Sequence, residues 1–425
     1  MKSKFLRDIA TLVSGTAAAQ VASILFIPWI TRLYGPEAFG GFGYFSSMLG
    51  FLTPLAGLCF PLAVVLPKRI GEARLLIDMS LKIALCASFF IFLFMLIIEN
   101  INYNLIPFSM TYVFIPLGLF LTIVVLVYTQ WSIRLGHYKL VAAISVLSSV
   151  LGGVLKVALG YFYPNSISLI LVANLILFFN ALVLVRRLGV PFRSEEFFSV
   201  RVRHWMVAKK YRRFPLFRTP HSVLATISQI APIFLLTSFY DAKYAGYFVL
   251  TRSVLSAPVS LIGKAVYDAA YPRISQRYNK NQDNFGFILK LSIGLGGISV
   301  IPLICIFFAG DSMFSLIFGA EWERAGEYAA WMALWFAFNF SNKAVAAAVS
   351  VYGMDNFLFR NGILNMLLSL LGFFVGFVYC SSDLVSVALF SLFGIICQCL
   401  LIVKVLRVVK RSDLFRFSGA GLYES

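Results

Sequence analysis

Twelve stretches of about twenty apolar residues account for most of this 425-residue sequence. A helix of about 20 apolar residues crosses the ~30 Å hydrocarbon core of a bilayer, and it satisfies its own backbone hydrogen bonds there. The chain is 60% hydrophobic and 13% charged, which is not the composition of a soluble domain. We therefore predict an all-α polytopic membrane protein with twelve transmembrane helices. The predicted spans lie near residues 9–31, 41–66, 76–98, 111–131, 140–163, 166–185, 219–239, 245–270, 286–309, 328–350, 360–380 and 384–406.

The basic residues fall on alternate connections between these spans. By our count, which includes Lys290, Arg360 and Lys404 at the ends of their spans, 28 of the 36 Lys and Arg residues lie on the side that holds the amino terminus. Arg32, Lys243 and Arg324 lie on the other side, and five more lie within spans. The positive-inside rule makes the basic side cytoplasmic. Because twelve spans return the chain to its starting side, both termini are predicted to be cytoplasmic.

The net charge of +18 would also suit a nucleic-acid-binding protein. Here, however, the basic residues alternate with apolar spans and do not cover one soluble face, so we predict no nucleic-acid partner. The six cysteines lie within or at the ends of spans, without the spacing of a metal site or a disulfide framework. The sequence therefore predicts neither a metal site nor a cofactor.

One long connection divides the spans into two groups of six. Residues 186–218 carry ten Lys and Arg residues against Glu195 and Glu196. We predict an amino-terminal lobe over 1–190, a basic cytoplasmic linker over 191–218 and a carboxy-terminal lobe over 219–425. Within the linker, a helix would place Trp205 and Met206 on one side among cations, which suits a helix lying on anionic membrane lipids. A solvated linker is the alternative, and we assign no role to His204.

The two halves are related in sequence. Each half contains the same order of Thr, Tyr, Gly and Pro residues, with nearly equal spacing, around its second span. Because each half has an even number of spans, the two copies enter the membrane in the same orientation. Proline removes a backbone hydrogen bond from a helix, so Pro54 and Pro258 are predicted to kink spans two and eight at matching depths. The corresponding residues are Thr31, Tyr34, Gly41, Pro54 and Pro67 in the first half, and Thr237, Tyr240, Gly246, Pro258 and Pro272 in the second.

Arg252, Lys156 and Lys343 lie within spans without an evident carboxylate at the same depth. A charged side chain at the bilayer centre costs at least ~2.5–3.5 kcal/mol and usually faces a bundle interior or a watery cavity. Together, the three residues predict a cationic cavity that binds an anionic substrate. Arg252 is the strongest single candidate, because a guanidinium binds phosphate through two parallel hydrogen bonds. A packed, partly hydrated side chain is the alternative for each residue.

Four further polar residues in the spans are candidates for the same site. Lys264 and Asp268 are four residues apart on one helix face, so we expect them to form an ion pair. Lys264 is a further candidate for substrate binding, and Asp268 is the one candidate for a carboxylate linked to ion flow. Asn339 and Asn342 share a span with Lys343 and are candidates to contact sugar hydroxyls. Hydrogen bonding between helices is the alternative for both asparagines.

Four segments of the sequence resemble the Wzx-type polysaccharide flippases. These segments are Leu33–Phe42 (LYGPEAFGGF), Leu58–Arg69, Tyr211–Phe217 and Tyr244–Pro258 (YAGYFVLTRSVLSAP). The superfamily also holds the multidrug and toxin extrusion (MATE) transporters, so the resemblance implies a MATE-like fold of two six-helix lobes around a central cavity.

The activity that the resemblance implies is movement of an undecaprenyl-diphosphate-linked oligosaccharide, of the O-antigen (lipopolysaccharide) or capsule type. The movement runs from the cytoplasmic to the periplasmic leaflet of the bacterial inner membrane. The polysaccharide polymerase machinery is an implied partner. The family's cationic cavity corresponds here to Arg252, Lys156, Lys343 and Lys264 by position in the spans and not by a shared motif.

Three other functions remain open at the level of sequence. A MATE-like exporter of cationic drugs would need unpaired carboxylates in the membrane. A membrane glycosyltransferase or polymerase acting on the same lipid carrier would need acid and base groups or a catalytic outer loop. The outer connections here are short, and the spans carry no paired carboxylates or histidine constellation. A lipid scramblase without energy coupling is the third alternative. We therefore predict a transporter and not an enzyme; the sequence does not specify the oligosaccharide, the coupling ion or the oligomeric state.

Overall fold

A computed structural model of the chain describes residues 2–101, 113–189 and 202–417, and it shows α-helices and no β-strand in those ranges. Short π-helical turns precede α9 and follow α14, and a 3-10 turn precedes α12. The helices are α1 (Lys2–Leu33), α2 (Pro36–Gly57), α3 (Phe60–Ala63), α4 (Ile70–Ile101), α5 (Phe114–Arg134), α6 (Tyr138–Gly160), α7 (Ser166–Leu188), α8 (Val202–Lys210), α9 (Thr219–Phe239), α10 (Ala242–Asn279), α11 (Phe285–Phe318), α12 (Glu323–Ser341), α13 (Lys343–Val351), α14 (Asp355–Val375) and α15 (Asp383–Phe417).

Ten of the described helical segments are long and apolar enough to cross a membrane. They coincide with ten of the twelve predicted spans, which confirms the prediction of an all-α polytopic membrane protein. The other two predicted spans coincide with pairs of shorter helices. The first pair, α2 and α3, is separated by Leu58 and Cys59, whose φ angles of 46° and 52° lie in the left-handed region. The second pair, α12 and α13, meets at Asn342. The exact number of crossings and the side of the termini stay predictions.

The chain forms two compact units, residues 1–233 and 234–425. In the first unit, α5 packs against α2, α4 and α7, and α1 packs along α6. The core around α5 includes Leu119, Ile123 and Val127, all fully buried. Small residues let α1 and α6 approach closely: a Cβ atom on Gly153 would lie 2.2 Å from the Phe26 ring.

In the second unit, α10 packs against α12 and α13, α11 against α12, and α15 against α12 and α14. Buried aliphatic side chains from α10, α11, α13 and α15 form one core cluster, which includes Ile274, Ile288, Val345 and Val405. The approach of α11 to α12 again depends on glycine, because a Cβ atom on Gly326 would lie 2.3 Å from the carbonyl oxygen of Gly310.

Four corresponding helix pairs are in contact in both units, which supports the predicted internal repeat, although the extensive packing of α1 on α6 has no equivalent between the described residues of α9 and α14. Counting the six predicted spans of each half in order, the third packs on the fourth and the fifth on the sixth in both units. The second and the sixth also pack on the fourth in both units. The predicted lobe limits at residues 190 and 219 stay a prediction.

The two prolines of the predicted repeat lie in different local structures. Helix α2 ends three residues after Pro54, at the left-handed turn of Leu58 and Cys59. Helix α10 continues through Pro258 and Pro272 without a break. In the second unit the helical dihedrals are interrupted at Ala309 in α11. Matching bend angles at Pro54 and Pro258 stay a prediction.

Candidate functional site

Lys156 lies on α6 in the first unit, and residues of the α1–α2 connection and the start of α2 hold it at two points. The fully buried Tyr34 donates a hydrogen bond from its hydroxyl to the carbonyl oxygen of Lys156, at 2.9 Å. The ammonium nitrogen of Lys156 lies 4.6 Å from the centre of the Phe42 ring. Tyr34 and Phe42 both belong to the segment Leu33–Phe42, one of those that resemble the polysaccharide flippases. This segment therefore fixes both the backbone and the charged end of Lys156.

Lys156 lines a cavity of about 440 Å³ among α1, α2, α5, α6 and α7. This volume falls in the range of small-ligand sites, ~300–1,000 Å³. The hydroxyl of Thr122 donates to the carbonyl oxygen of Gly118 at 2.7 Å, and that of Ser148 to the carbonyl oxygen of Ile144 at 2.6 Å. Because the Thr122 proton is donated to the backbone, its hydroxyl oxygen presents acceptor lone pairs to the cavity, whereas the Ser148 hydroxyl also contacts the side-chain oxygen of Asn180. The polar lining residues are Ser23, Ser46, Thr122, Ser148, Ser149 and Lys156.

No carboxylate of the described residues forms an ion pair with Lys156. The contact with Phe42 stabilises the ammonium group through the negative face of the ring and leaves its charge in place. One cation, several hydroxyl oxygens and apolar walls form a surface that can bind an anionic group attached to a sugar.

Arg252 lies on α10 in the second unit, half-buried and directly after the fully buried Thr251. The hydroxyl of Thr251 donates to the carbonyl oxygen of Ala325 on α12, at 2.8 Å. One turn earlier, the Tyr247 ring packs edge-on against the ring of Tyr328. These contacts fix the part of α10 that carries Arg252.

Lys343 begins α13, and its aliphatic stem packs against α10. A Cβ atom on Gly263 would lie 3.0 Å from the Cε atom of Lys343, so glycine leaves room for this stem. Gly263 follows Arg252 by eleven residues, which corresponds to ~16 Å along the helix axis. Arg252 and the stem of Lys343 therefore lie at two separate levels of α10 and do not form one cluster.

Lys264 and Asp268 are both exposed on α10. The ion pair predicted between them is wrong, because the described residues contain no such pair. Two exposed side chains lose entropy on pairing, and a cation that precedes the acid by four residues is the less favourable order on a helix. The roles of Lys264 in substrate binding and of Asp268 in ion coupling stay predictions.

Asn342 is buried between α12 and α13, and its amide nitrogen donates to the side-chain oxygen of Gln398 on α15. This contact corresponds to the alternative that we gave for the asparagines, hydrogen bonding between helices. Asn339 is half-buried on α12. Contact of either asparagine with a sugar stays a prediction.

The sequence reasoning missed a second carboxylate within a predicted span, on α4, the helix that α8 contacts. Asp78 on α4 lies 2.6 Å from the ammonium of Lys82 and 2.7 Å from Nε2 of His204. His204 belongs to α8 and is 7% exposed. Asp268 is therefore not the one carboxylate candidate, and His204 has a structural role that we did not predict. The four-residue spacing of Asp78 and Lys82 was a readable signal, whereas the contact with His204 spans 126 residues.

The other end of α8 is held by a second ion pair, between Lys210 and Glu72 at 2.6 Å. The hydrogen bond from this ammonium to Glu72 raises the pKa of Lys210. Trp205 and Met206 lie on a different face of α8 and are 71% and 56% exposed. One face of α8 thus packs on α4 while an apolar face stays open, as the prediction of a membrane-surface helix requires.

Arg324 takes part in a charged network that the sequence did not reveal. Its Nε and Nη2 atoms donate to the carboxylate of Asp383 at 3.0 and 2.7 Å, and it also pairs with Glu327. The Tyr328 hydroxyl donates to the same Asp383 carboxylate at 2.7 Å. This network joins the first turns of α12 and α15, which are predicted to lie on the same side of the membrane.

Comparisons with solved structures identify the fold. An inward-facing multidrug-resistance MATE transporter of the MOP superfamily superposes with a TM-score of 0.66 at 14% identity, covering 95% of each chain. The lipid II flippase MurJ, in an inward closed conformation, superposes with a TM-score of 0.68 at 12% identity over 97% of this chain and 93% of that one. The MATE transporter VcmN of Vibrio cholerae gives 0.59 at 12% identity over 98% of each chain.

A comparison with curated protein sequences finds no significant match. The sequence model of one family, described as "Polysaccharide biosynthesis protein", matches residues 29–327. This match covers well over half of the chain, and the solved structures show a fold shared with MATE transporters and MurJ. The chain therefore belongs to the polysaccharide biosynthesis protein family.

Proposed function

We propose that this protein is a flippase for an anionic, undecaprenyl-diphosphate-linked oligosaccharide of the O-antigen or capsule type. The substrate would move from the cytoplasmic to the periplasmic leaflet of the bacterial inner membrane by alternating access through a cationic cavity. The family assignment and the fold shared with a lipid II flippase support a lipid-linked substrate. The polysaccharide polymerase machinery is the partner that would receive the product.

The observation that carries the proposal is the environment of Lys156. An ammonium group within a membrane helix lies against Phe42, pairs with no described carboxylate and borders a hydroxyl-lined cavity. A charge at this depth is costly, and it is retained in membrane proteins chiefly where it serves a substrate or ion path. The phosphate of an anionic sugar-phosphate would supply the counter-charge for Lys156. Its sugar hydroxyl groups would donate hydrogen bonds to the serine and threonine oxygens of the cavity.

Arg252 on α10 and Lys343 of α13, whose stem packs against α10, support the same function at two levels of the second unit. Arg252 and the stem of Lys343 are separated by ~16 Å along the helix axis. A diphosphate moving along this helix would meet one cation after the other. An inside-negative potential favours outward movement of an anion by ~2.3 kcal/mol per charge per 100 mV, so the membrane potential can drive transport.

The test is complementation of a deletion in the native host. Arg252→Ala and Lys156→Ala should abolish surface polysaccharide and cause the lipid-linked oligosaccharide to accumulate on the cytoplasmic side. Lys280→Ala is the matched control, because it removes an exposed cation just beyond α10 and should complement fully. Membrane levels of each variant are measured by immunoblot. Wild-type surface polysaccharide from a triple variant with Arg252, Lys156 and Lys343 all changed to alanine would refute the proposal.

Export of cationic drugs is the second candidate, because several proteins of the same fold are MATE transporters. That chemistry needs an acidic site. The carboxylate of Asp78 is already bonded to Lys82 and His204, so Asp268, which forms no ion pair within the described residues, is the candidate for it. Expression in a drug-sensitive host separates the two functions. Two results together would favour the exporter: expression lowers the intracellular concentration of a cationic dye in the drug-sensitive host, and the deletion strain keeps its surface polysaccharide.

A further inference from the structure

A basic groove runs between the start of α14 and the end of α15 in the second unit, and none of Lys156, Arg252 and Lys343 lines it. Its volume is about 990 Å³. Four cations line it, and all four are exposed. The ammonium of Lys404 is held 4.4 Å from the centre of the Phe357 ring, which also lines the groove. The four cations are Arg360, Lys404, Arg407 and Arg411.

The charge of this groove is not compensated by the described residues. No carboxylate lines the groove, and none of its four cations is in an ion pair within the described ranges. The nearby Asp413 is buried and accepts hydrogen bonds from the backbone nitrogens of Asn284 and Phe285 and from the Tyr352 hydroxyl. Asp355 is bonded to Ser350 at 3.2 Å. The groove therefore presents net positive charge to a ligand.

An exposed apolar strip continues from the basic end along both helices. Leu364 and Leu400 line the groove itself and are 40% and 47% exposed. Leu371 lies seven residues beyond Leu364 and Ile396 four residues before Leu400, so each falls on the same helix face as its partner. Both are at least half exposed. At 1.5 Å per residue, seven residues extend the strip by ~10 Å along α14.

We propose that this groove binds an anionic phospholipid, with its phosphate among the four cations and an acyl chain along the apolar strip. Guanidinium groups bind phosphate through paired hydrogen bonds, and basic clusters at the cytoplasmic ends of membrane helices bind anionic headgroups. The apolar strip distinguishes a lipid from a soluble phosphate, since a free anion would gain nothing from it. The predicted topology places this end of α14 and α15 on the cytoplasmic side, where anionic headgroups are available. The site is independent of Lys156, Arg252 and Lys343, and thus of the proposed transport activity.

The experiment measures lipid binding to the purified full-length chain in detergent by native mass spectrometry. The probes are phosphatidylglycerol, phosphatidylcholine with the same acyl chains, and inorganic phosphate. The site variant is Lys404→Gln with Arg407→Gln. The control variant is Arg186→Gln with Arg187→Gln, which removes two exposed cations from the predicted cytoplasmic end of α7.

We expect saturable binding of phosphatidylglycerol to the wild type and to the control variant. Loss of two cations at about 1 kcal/mol each should raise its Kd about 30-fold in the site variant. Equal affinity for phosphatidylcholine, or equal loss in both variants, would overturn the proposal. Displacement of the lipid by inorganic phosphate at the same concentration as the lipid would assign the groove to a soluble anion and also overturn it. If the double variant does not fold, Arg407→Gln alone should raise the Kd about fivefold.

Discussion

The network of Arg324 and Asp383 gives a test of how the second unit is stabilised. The Asp383 carboxylate is 9% exposed and accepts three hydrogen bonds, two from the guanidinium of Arg324 and one from the hydroxyl of Tyr328. Asp383→Asn replaces this carboxylate with a neutral amide of nearly the same shape. Arg324 then keeps its charge and loses its main acceptor.

The expected loss follows from the burial of the two side chains. Removing one member of a buried ion pair costs ~3–5 kcal/mol, because it leaves the other charge unpaired. The Arg324 side chain is 32% exposed, so water and Glu327 recover part of this energy. We therefore expect Asp383→Asn to lower the free energy of unfolding by ~2–3 kcal/mol. Arg324→Gln should have a similar effect, and the double variant should lose ~1–3 kcal/mol less than the sum.

The measurement is denaturant-induced unfolding in detergent micelles, followed by tryptophan fluorescence, for the two single variants and the double variant. Lys210→Gln is the matched control, because it also removes one cation from one ion pair, but at an exposed position on α8. It should leave the unfolding midpoint unchanged. Additive losses in the double variant would refute the argument, since they would show that Arg324 and Asp383 act independently.

Two further predictions concern the first unit. Gly153→Leu should lower the free energy of unfolding by ~2 kcal/mol or more, because its Cβ would lie 2.2 Å from the Phe26 ring and force α1 away from α6. Gly71→Ala is the neutral control in the same unfolding assay, because a Cβ atom at Gly71 would have no other atom within 4 Å. His204→Phe should loosen α8, because the ring is retained while its bond to Asp78 is lost. We expect trypsin to cleave this variant at Lys209 and Lys210 in membranes faster than it cleaves the wild type, as measured on gels. Cleavage at the wild-type rate would contradict this reasoning.

The helices could be predicted from the sequence because the bilayer allows few alternatives. Each apolar stretch must satisfy its own backbone groups, so its length and composition define a helix. The break between α2 and α3 could not be predicted from the sequence, because Leu58 and Cys59 adopt a left-handed conformation that usually requires glycine. Just beyond this turn, Phe60 and Ala63 are buried in the core of the first unit.

Charged contacts were predictable only where local spacing defines them. Asp78 and Lys82 are four residues apart and pair in the order that favours a helix. Lys264 and Asp268 have the same spacing in the reverse order, and they do not pair. The contacts of His204 with Asp78 and of Arg324 with Asp383 join residues 126 and 59 positions apart. Such partners follow from tertiary packing, which no periodicity in the sequence encodes.

Lys156 shows how a sequence motif and a membrane charge, found by separate arguments, belong to one site. The segment Leu33–Phe42 was singled out for its resemblance to flippases, and Lys156 for its depth in a span. The structure joins them through the hydroxyl of Tyr34 and the ring of Phe42. A cation–π contact contributes ~0.5–2 kcal/mol, less than the ~2.5–3.5 kcal/mol that a membrane charge costs. Because the ring offsets only part of this cost, an anionic ligand beside Lys156 would stabilise the ammonium group further.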